Sequence, residues 1–382
     1  MNTIKELYQT CKGKKVLVRF DGNISHETLE KNEKGIAMLR IERCIETIRK
    51  LSAHGAKVIL ATHLGDDGQR STEELIPIFE LYEVYVGFFK KLSTGLYEVI
   101  DDMEEGEILL IQNTRSLPGE TENSAEAAEF FASLCEVFVN DAFSVSHRNH
   151  ASVVGVAELR PSFMGEGLSL EISKISDFKN VVGNIGVVLG GNKLSTKLPL
   201  LKRFLSDSDV SYVLLGGALA HPVYEARGIN IGNSLTDRNL TTDQIPTDDR
   251  IIVPALVITK NLPHQETQIK EVGSTDSIYD VSPKFVEDFA KEHFGNVSKI
   301  FWNGPLGNTP EGFTKGTIQL VQEIMNLEIP MVIGGGDTLD MLPEEIVAKK
   351  NIFVSTGGGA LLDYLAEGTL VGISTIDRHL AL

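Results

Sequence analysis

The sequence predicts an α/β protein with two doubly wound parallel-sheet domains, joined by a connecting helix and a hinge. The chain has 382 residues, which is long for one domain and enough for two that each bury a core. Short runs rich in β-branched residues alternate with amphipathic stretches along the chain. Strands that alternate with helices form parallel sheets covered by helices on both faces, so each half is expected to be Rossmann-like.

The predicted strands are short apolar runs. They lie at residues 16–20, 57–61, 108–112, 137–140, 186–189, 212–215, 251–258, 299–302, 331–333 and 352–354. The stretch after Arg40 illustrates the intervening pattern, because its apolar residues recur at helical spacing and Gly55 is a suitable stop. Residues 159–184 contain few strand signals and several helix formers, so they predict the helix that connects the two domains.

Composition and charge exclude several classes of function. The formal net charge is −17, whereas nucleic-acid binding needs a basic footprint, so we expect no nucleic-acid partner. No apolar run approaches the roughly 18 residues of a membrane span, and residues 1–6 lack the layout of a signal peptide. The 3 cysteines are far apart, which favours neither a disulfide framework nor a Cys-rich metal site. We therefore expect a cytoplasmic protein with no membrane partner.

Two glycine-rich loops in the last third of the chain indicate phosphate binding. The predicted strand 331–333 leads into glycines 334–336, and the predicted strand 352–354 leads towards glycines 357–359. Glycine lets backbone N–H groups approach an anion closely, and a following helix directs the positive end of its dipole to the same place. Because the loops follow two successive strands, we expect them to lie at one edge of a sheet.

Polar side chains also follow the predicted strands, and the two halves differ in kind. In the first half the strand ends carry arginine, histidine, aspartate and asparagine, which suit a small, multiply charged anion. In the second half they carry glycines and Lys193, which suit a polyphosphate. Ligands of parallel sheets bind beyond the carboxyl ends of the strands. One site for a small anion and one for a polyphosphate is the layout of a kinase.

The familiar kinase and dehydrogenase fingerprints are absent from the sequence. It contains no Gly-x4-Gly-Lys-Ser/Thr and none of the protein-kinase set of motifs. The Rossmann Gly-x-Gly-x-x-Gly does not follow the first predicted strand, which disfavours a dehydrogenase.

Six blocks of sequence instead resemble the phosphoglycerate kinase family, in the family's order and over nearly the whole chain. They are VLVRFD at 16–21, GAKVILATHLG at 55–65, VNDAF at 139–143, WNGP at 302–305, GGGD at 334–337 and STGGG at 355–359. The resemblance implies an N-terminal phosphoglycerate-binding domain (1–165), a connecting helix (166–184) and a C-terminal nucleotide-binding domain (185–371). It also implies that residues 372–382 return to the first domain.

The activity implied by the resemblance is reversible phosphoryl transfer between 1,3-bisphosphoglycerate with ADP and 3-phosphoglycerate with ATP, a step of glycolysis. The acceptor is a carboxyl group, and the transfer is in line, accompanied by Mg²⁺ and by domain closure, without a covalent enzyme intermediate. The expected partners are therefore small-molecule substrates, and we expect a monomer.

The resemblance also implies roles for individual residues of the first half. Asp21 and Asn23 are expected to bind the hydroxyl and carboxylate of the sugar acid. The expected basic residues around the acid are Arg40, His63, Arg115 and Arg148, because guanidinium groups form bidentate hydrogen bonds to phosphate. Arg40, together with Lys193 of the second half, is expected to stabilise the charge that develops during transfer.

In the second half the resemblance implies a nucleotide site. Lys193 and Lys197 are expected to contact the phosphates, Glu311 the ribose, and Asp337 the Mg²⁺ that accompanies the nucleotide. The complete expected set is Lys193, Lys197, Gly216, Asn303, Glu311, Gly334, Gly335, Gly336, Asp337, Thr338, Thr356, Gly357 and Gly358.

The chain departs from the family's pattern at several positions, most plainly at Asp66, where the family has an arginine. Gly22, Thr196 and Leu256 are further departures. An acid in place of a phosphate-binding cation weakens anion binding, unless another basic residue such as Arg70 compensates. The sequence therefore leaves a second function open, a non-catalytic nucleotide-binding or regulatory relative that has lost acceptor binding.

Some of the residue roles also have simpler alternatives. A single arginine of the first half could be part of a surface ion pair, and His63 could cap its own loop. Asp337 could act as a helix N-cap rather than as a metal ligand.

Overall fold

The computed structural model describes residues 4–260 and 265–380. The chain forms two compact units: Met1–Ser173 with Gly359–Leu382, and Lys174–Gly358. No helix of the described residues is long and apolar enough to cross a membrane. The sequence placed the return of the chain to the first domain at residue 372, whereas residues from Gly359 onward already group with the first unit.

The strands are short and recur throughout both units. They are β1 (Lys15–Phe20), β2 (Lys57–Ala61), β3 (Gly87–Phe89), β4 (Ile108–Ile111), β5 (Val137–Asp141), β6 (Ser162–Met164), β7 (Ile185–Leu189), β8 (Val210–Leu215), β9 (Ile251–Ile252), β10 (Leu256–Thr259), β11 (Gln265–Gln268), β12 (Ile278–Val281), β13 (Lys299–Asn303), β14 (Met331–Gly334) and β15 (Ile352–Val354).

Helices occupy most of the connections between these strands. They are α1 (Ile4–Thr10), α2 (His26–Lys31), α3 (Leu39–Ala53), α4 (Ile76–Leu81), α5 (Gly95–Asp102), α6 (Ala125–Ser133), α7 (Val156–Leu159), α8 (Glu166–Asn180), α9 (Leu194–Leu205), α10 (His221–Ala226), α11 (Pro283–His293), α12 (Lys315–Met325), α13 (Gly336–Leu339), α14 (Gly359–Glu367) and α15 (Val371–Leu380).

The first unit is built on a six-stranded parallel sheet in the order β3-β4-β2-β1-β5-β6. Successive residues of β1 face opposite sides, so Val16 and Val18 join one apolar cluster and Leu17 joins the other. The first cluster contains Ile41 of α3, and the second contains Ile376 of α15. Helices therefore cover both faces, and the predicted doubly wound fold is confirmed.

The second unit has its own six-stranded parallel sheet, in the order β15-β14-β13-β7-β8-β9. It also carries a three-stranded sheet in the order β11-β10-β12, whose strands are antiparallel. The sequence predicted one strand over residues 251–258, which is wrong, because this run divides into β9 and β10 around Pro254. Proline has no N–H to donate to a ladder and fixes its own φ.

The predicted connecting helix is shorter than the stretch that suggested it. Residues 159–184 begin with the end of α7, then form β6, and only then enter α8. Asp141, at the end of β5, accepts a hydrogen bond from the backbone N–H of Leu168 at 2.8 Å, near the start of α8. Burial raises the pKa of Asp141 to about 7.

Candidate active site

In the first unit, the predicted site residues follow the carboxyl ends of four neighbouring strands. Asp21 follows β1, His63 lies just beyond β2, Arg115 lies in the turn after β4, and Arg148 comes shortly after β5. Strands β2 and β5 flank β1 on opposite sides, which makes this edge the switch point at which ligands of such sheets bind.

Arg40 connects the loops of this edge. Its Nη1 lies 3.6 Å from Asp21 Oδ2 and donates to the backbone oxygen of Asn23 at 3.0 Å. Asn23 Oδ1 in turn accepts from the backbone N–H of Gly65 at 2.9 Å. The loops after β1 and β2 are therefore joined through Asn23, and Arg40 contacts the loop after β1.

His63 is fixed in one tautomer by a buried arginine. Arg19 Nη2 lies 3.0 Å from His63 Nδ1, and because a guanidinium can only donate, Nδ1 must accept. The proton of the neutral ring is then on Nε2. Burial, with the positive charge of Arg19 beside the ring, lowers the pKa of His63 well below its ordinary value. His63 is therefore a neutral donor through Nε2.

Arg19 itself lies inside β1 and is 1% exposed. Its Nε donates to Ser152 Oγ at 3.1 Å, and the N–H of Ser152 donates to Glu120 Oε2 at 2.8 Å. Burial lowers the pKa of Arg19 to about 10, so the side chain stays charged at neutral pH. No role for Arg19 or Glu120 was predicted from the sequence, although a charged residue inside an apolar strand run could have pointed to Arg19.

Arg115 is nearly buried and already has a carboxylate partner. Its side chain is 6% exposed, and its Nη1 forms an ion pair with Oδ1 of Asp66, whose side chain is 88% exposed. The same Nη1 donates to the backbone oxygen of Gly65 at 3.0 Å. Arg70, the residue that could have compensated for Asp66, is itself paired with Glu74 at 2.7 Å.

Arg148 is half-buried, and burial, with the charge of Arg115 nearby, lowers its pKa. Among the ion pairs of the described residues, none involves its guanidinium. The guanidinium of Arg148 is therefore available to pair with a ligand anion. We refer to Arg19, Arg40, His63, Arg115 and Arg148 together as the basic cluster.

In the second unit, Lys193 and Lys197 lie at the start of α9, after β7. Lys193 occupies the N-cap position of the helix without a side-chain capping hydrogen bond, and it is exposed. Lys197 Nζ donates to the backbone oxygen of Gly190 at 2.6 Å, and to Oδ1 of Asn303 at 2.6 Å. Burial lowers the pKa of Lys197 to about 7.

Asn303 ends β13, the strand that neighbours β7 in the sheet. Its Oδ1 is engaged by Lys197, while its buried Nδ2 has no hydrogen-bond partner among the described residues. Unpaired buried donors are rare in folded proteins. The amide of Asn303 is therefore suited to a ligand oxygen that arrives at this edge.

The glycines near these residues are required by close backbone approaches. A Cβ on Gly190 would come within 2.1 Å of the backbone oxygen of Pro305, and a Cβ on Gly217 within 2.8 Å of the backbone oxygen of Gly191. Gly335 has a φ of +109°, which favours glycine. We refer to Lys193, Lys197, Asn303 and the glycine loops as the lysine–glycine site; the loop residues are Gly190, Gly191, Gly216, Gly217, Gly334, Gly335, Gly336, Thr338, Thr356, Gly357 and Gly358.

One expectation about the two triple-glycine loops needs correction. Each loop was expected to lead into a helix whose dipole favours an anion. The helix after the first loop, α13, has only 4 residues, so its dipole is small. The helix after the second loop, α14, has 9 residues and begins at Gly359, the last glycine of that loop. The expected dipole is therefore small at the first loop and present at the second.

A cavity of about 240 Å³ opens beside the lysine–glycine site. It is lined by Gly191, Gly217, Tyr224, Pro305 and Asp337, among others. Such a concave site with mixed apolar and polar walls suits a nucleoside. Glu311, expected at the ribose, does not line this cavity and instead forms an ion pair with Lys260.

Two acids line this cavity, Asp280 and Asp337, and Asp337 is the one that could meet a metal, because Asp280 is buried. Asp337 is exposed, and the described residues contain no group of three His, Cys, Asp or Glu that could hold a metal by itself. A single carboxylate nevertheless fits Mg²⁺, which usually keeps several waters and takes other ligands from the phosphates of its substrate. The donor set therefore fits a metal that arrives with a nucleotide.

Comparison with known proteins assigns the family. The family model described as phosphoglycerate kinase matches residues 4–368. The chain belongs to the phosphoglycerate kinase family. The phosphoglycerate kinase of Leptospira biflexa is 33% identical over 389 residues, covering 96% of both chains. That of Haemophilus influenzae is 31% identical over 395 residues, covering 99% of both.

Solved structures of phosphoglycerate kinases share the fold of this chain. The phosphoglycerate kinase of Coxiella burnetii is 30% identical, with a TM-score of 0.75 over 97% of this chain and 98% of that chain. The enzyme of Pyrococcus horikoshii reaches a TM-score of 0.83 over 100% of both chains at 24% identity, a likeness that shows the fold alone. The family resemblance predicted from the six sequence blocks is confirmed.

Proposed function

We propose that the chain catalyses reversible phosphoryl transfer between ATP and the carboxylate of 3-phosphoglycerate, the reaction of the phosphoglycerate kinase family. A carboxylate oxygen of the acid attacks the γ-phosphorus. The bond from phosphorus to the β,γ-bridging oxygen breaks, and ADP leaves with that electron pair. The products are ADP and 1,3-bisphosphoglycerate, and no proton has to move.

The observation that carries this proposal is the chemistry of the two strand edges. The basic cluster of the first unit concentrates guanidinium groups in a protein whose net charge is −17. Guanidinium groups match phosphate and carboxylate geometry. We assign this cluster, with Asp21 and Asn23, to the phosphoglycerate. The carboxylate of Asp21 and the amide of Asn23 are suited to the hydroxyl and carboxylate of the acid.

We assign the lysine–glycine site to the nucleotide. Lys193 is exposed at the start of α9 and is placed to neutralise the phosphoryl group as it moves, as Arg40 is on the acceptor side. Asp337 is the residue that would hold Mg²⁺, which when bound neutralises the phosphate charge of the nucleotide. The monomeric state and the cytoplasmic location stay predictions.

A coupled assay with ATP, Mg²⁺ and 3-phosphoglycerate tests the function. We expect turnover by the wild-type chain, and a loss in kcat of about a hundredfold or more in Lys193→Ala, because its interaction strengthens in the transition state. Lys202→Ala, which changes an exposed lysine later in α9, is the matched control and should keep its activity. No turnover by the wild-type chain, with nucleotide binding intact, would instead favour the non-catalytic alternative.

A further inference from the structure

The contact between Asp66 and Arg115 places a carboxylate of the protein on a guanidinium of the basic cluster. Arg115 is enclosed, with 6% of its side chain exposed, while Asp66 is 88% exposed. The guanidinium of Arg115, which is nearly buried, is thus paired with a carboxylate that lies in solvent. An exposed carboxylate can rotate away from its partner at little cost, because water replaces the contact.

The loop that carries Asp66 keeps this carboxylate within reach of Arg115. Asp66 lies between Gly65 and Gly68, which both have a φ of +72°. The loop is pressed against the backbone of Arg115, since a Cβ on Gly68 would come within 2.6 Å of the Arg115 oxygen. The N–H of Gly65 is held by Asn23. Release of Arg115 therefore needs a side-chain rotation of Asp66 and no displacement of the loop.

Two other arginines of the basic cluster also have carboxyl groups nearby, but these are buried. Asp21, beside Arg40, is 3% exposed. Glu120, which reaches Arg19 through Ser152, is 1% exposed. An incoming anion cannot move either of them into solvent without disturbing the core.

Asp66 differs from both, because its side chain is open to solvent. It also lies close enough to Arg148 for that charge, after Arg115, to contribute to a lowered pKa. Its carboxylate is therefore ionised at neutral pH and opposes the two cations, Arg115 and Arg148, that a ligand phosphate would need.

We propose that Asp66 is a tethered competitor of the acid substrate, whose carboxylate occupies Arg115 until the anionic group of the bound acid displaces it. The proposal rests on the proposed function for the identity of the acid, but not for the competition itself. Asp66 then sets how tightly this site holds anions. Its removal strengthens binding because the ligand no longer has to break an ion pair and no longer meets a repelling charge.

Calorimetric titration of the full chain with 3-phosphoglycerate tests the competition without any need for turnover. Asp66→Asn should bind the acid about tenfold more tightly than the wild type, or about 1.4 kcal/mol. Asp67→Asn is the matched control, because Asp67 lies on the same loop and accepts from the N–H of Gln69 at 3.0 Å. It should bind as the wild type does. Equal or weaker binding by Asp66→Asn overturns the proposal, and weaker binding would show that Asp66 orients Arg115 instead.

A second titration separates this inference from the proposed function. Inorganic phosphate is the probe, and the Asp66→Asn change is repeated in an Arg115→Ala background. If Asp66 competes at Arg115, its removal strengthens phosphate binding clearly more where Arg115 is present than in the Arg115→Ala background, where only the repelling charge is removed. An equal gain in both backgrounds overturns the proposal. A larger gain in the background that keeps Arg115 supports it, even if the wild-type chain neither binds nor turns over 3-phosphoglycerate.

Discussion

The two candidate sites, one in each unit, handle charge by different means. The basic cluster is built from side chains, four arginines and His63, and two of the arginines contact carboxylates of the same unit, Arg40 with Asp21 at 3.6 Å and Arg115 with Asp66. The lysine–glycine site is shaped by backbone. At Gly190 and Gly217, for example, a Cβ would come within 2.1 and 2.8 Å of backbone oxygens. The anion affinity of the first site can therefore be changed by substituting a single charged residue. At the second site, substituting a loop glycine would instead disturb the backbone that forms the site.

The strongest test of this comparison is the independence of the two sites. Arg148→Ala should raise the KM for 3-phosphoglycerate by roughly tenfold to a hundredfold, since it removes a charge-assisted contact worth about 1.5–3 kcal/mol. Binding of ATP should stay within about twofold of the wild type, because Arg148 belongs to the first unit and the lysine–glycine site to the second. Steady-state kinetics with calorimetry of ATP binding gives both values.

The control for that experiment is Lys90→Ala, which removes an exposed cation of the same unit and should change neither value. The opposite pattern, a loss of ATP binding with the KM for the acid unchanged, would show that the ligands are assigned to the wrong units.

A smaller effect is expected from pH at the lysine–glycine site. Burial lowers the pKa of free Lys197 to about 7, and Asp337 is the charged group that opposes this shift. Bound phosphates favour the protonated amine, so nucleotide binding takes up a proton above pH 7. Affinity for ADP should therefore be highest below pH 7 and fall by about tenfold between pH 7.5 and 9.

Calorimetry in buffers of different ionisation enthalpy measures this proton uptake directly. Lys197→Arg supplies the comparison, because a guanidinium stays charged throughout this range, and its ADP affinity should be nearly independent of pH. A wild-type affinity that is equally flat between pH 7.5 and 9 would mean that Lys197 is already charged without nucleotide.

The sequence predicted the fold better where strands are central than where they are at edges. The run at residues 57–61 coincides with β2, which lies between two neighbours. Strands β3, β6, β11 and β12 were missed; each has 3 or 4 residues and lies at an edge of its sheet. A strand this short is hard to read from a hydrophobic period alone. The equally short edge strand β15 was predicted at residues 352–354, where a glycine-rich loop follows the apolar run.

The site could be located from the sequence because parallel strands end at a common edge. What the sequence could not supply was the pairing among the side chains. The contact of Asp66 with Arg115 depends on how two loops pass each other, which local residue patterns do not encode. The hydrogen bonds from Arg19 to His63 and to Ser152 likewise link residues that are 44 and 133 positions apart in the sequence. The roles of the site residues stay predictions.

The smallest expected effect concerns His63, the member of the basic cluster that is not an arginine. Arg19 donates to Nδ1 of His63, and the pKa of the ring is lowered by burial first and by Arg19 second. His63 should therefore contribute to acid binding as a neutral donor and add no positive charge between pH 5.5 and 8. His63→Gln keeps a neutral N–H donor on a side chain of similar reach. It should raise the KM for 3-phosphoglycerate by less than about threefold, the cost of part of a hydrogen bond, and leave the pH dependence of binding unchanged.

Titrating both proteins with the acid across this range cancels the ionisation of the ligand itself. If wild-type affinity instead rises below pH 6.5 relative to the glutamine variant, His63 becomes charged on binding, and the basic cluster gains a cation that depends on pH.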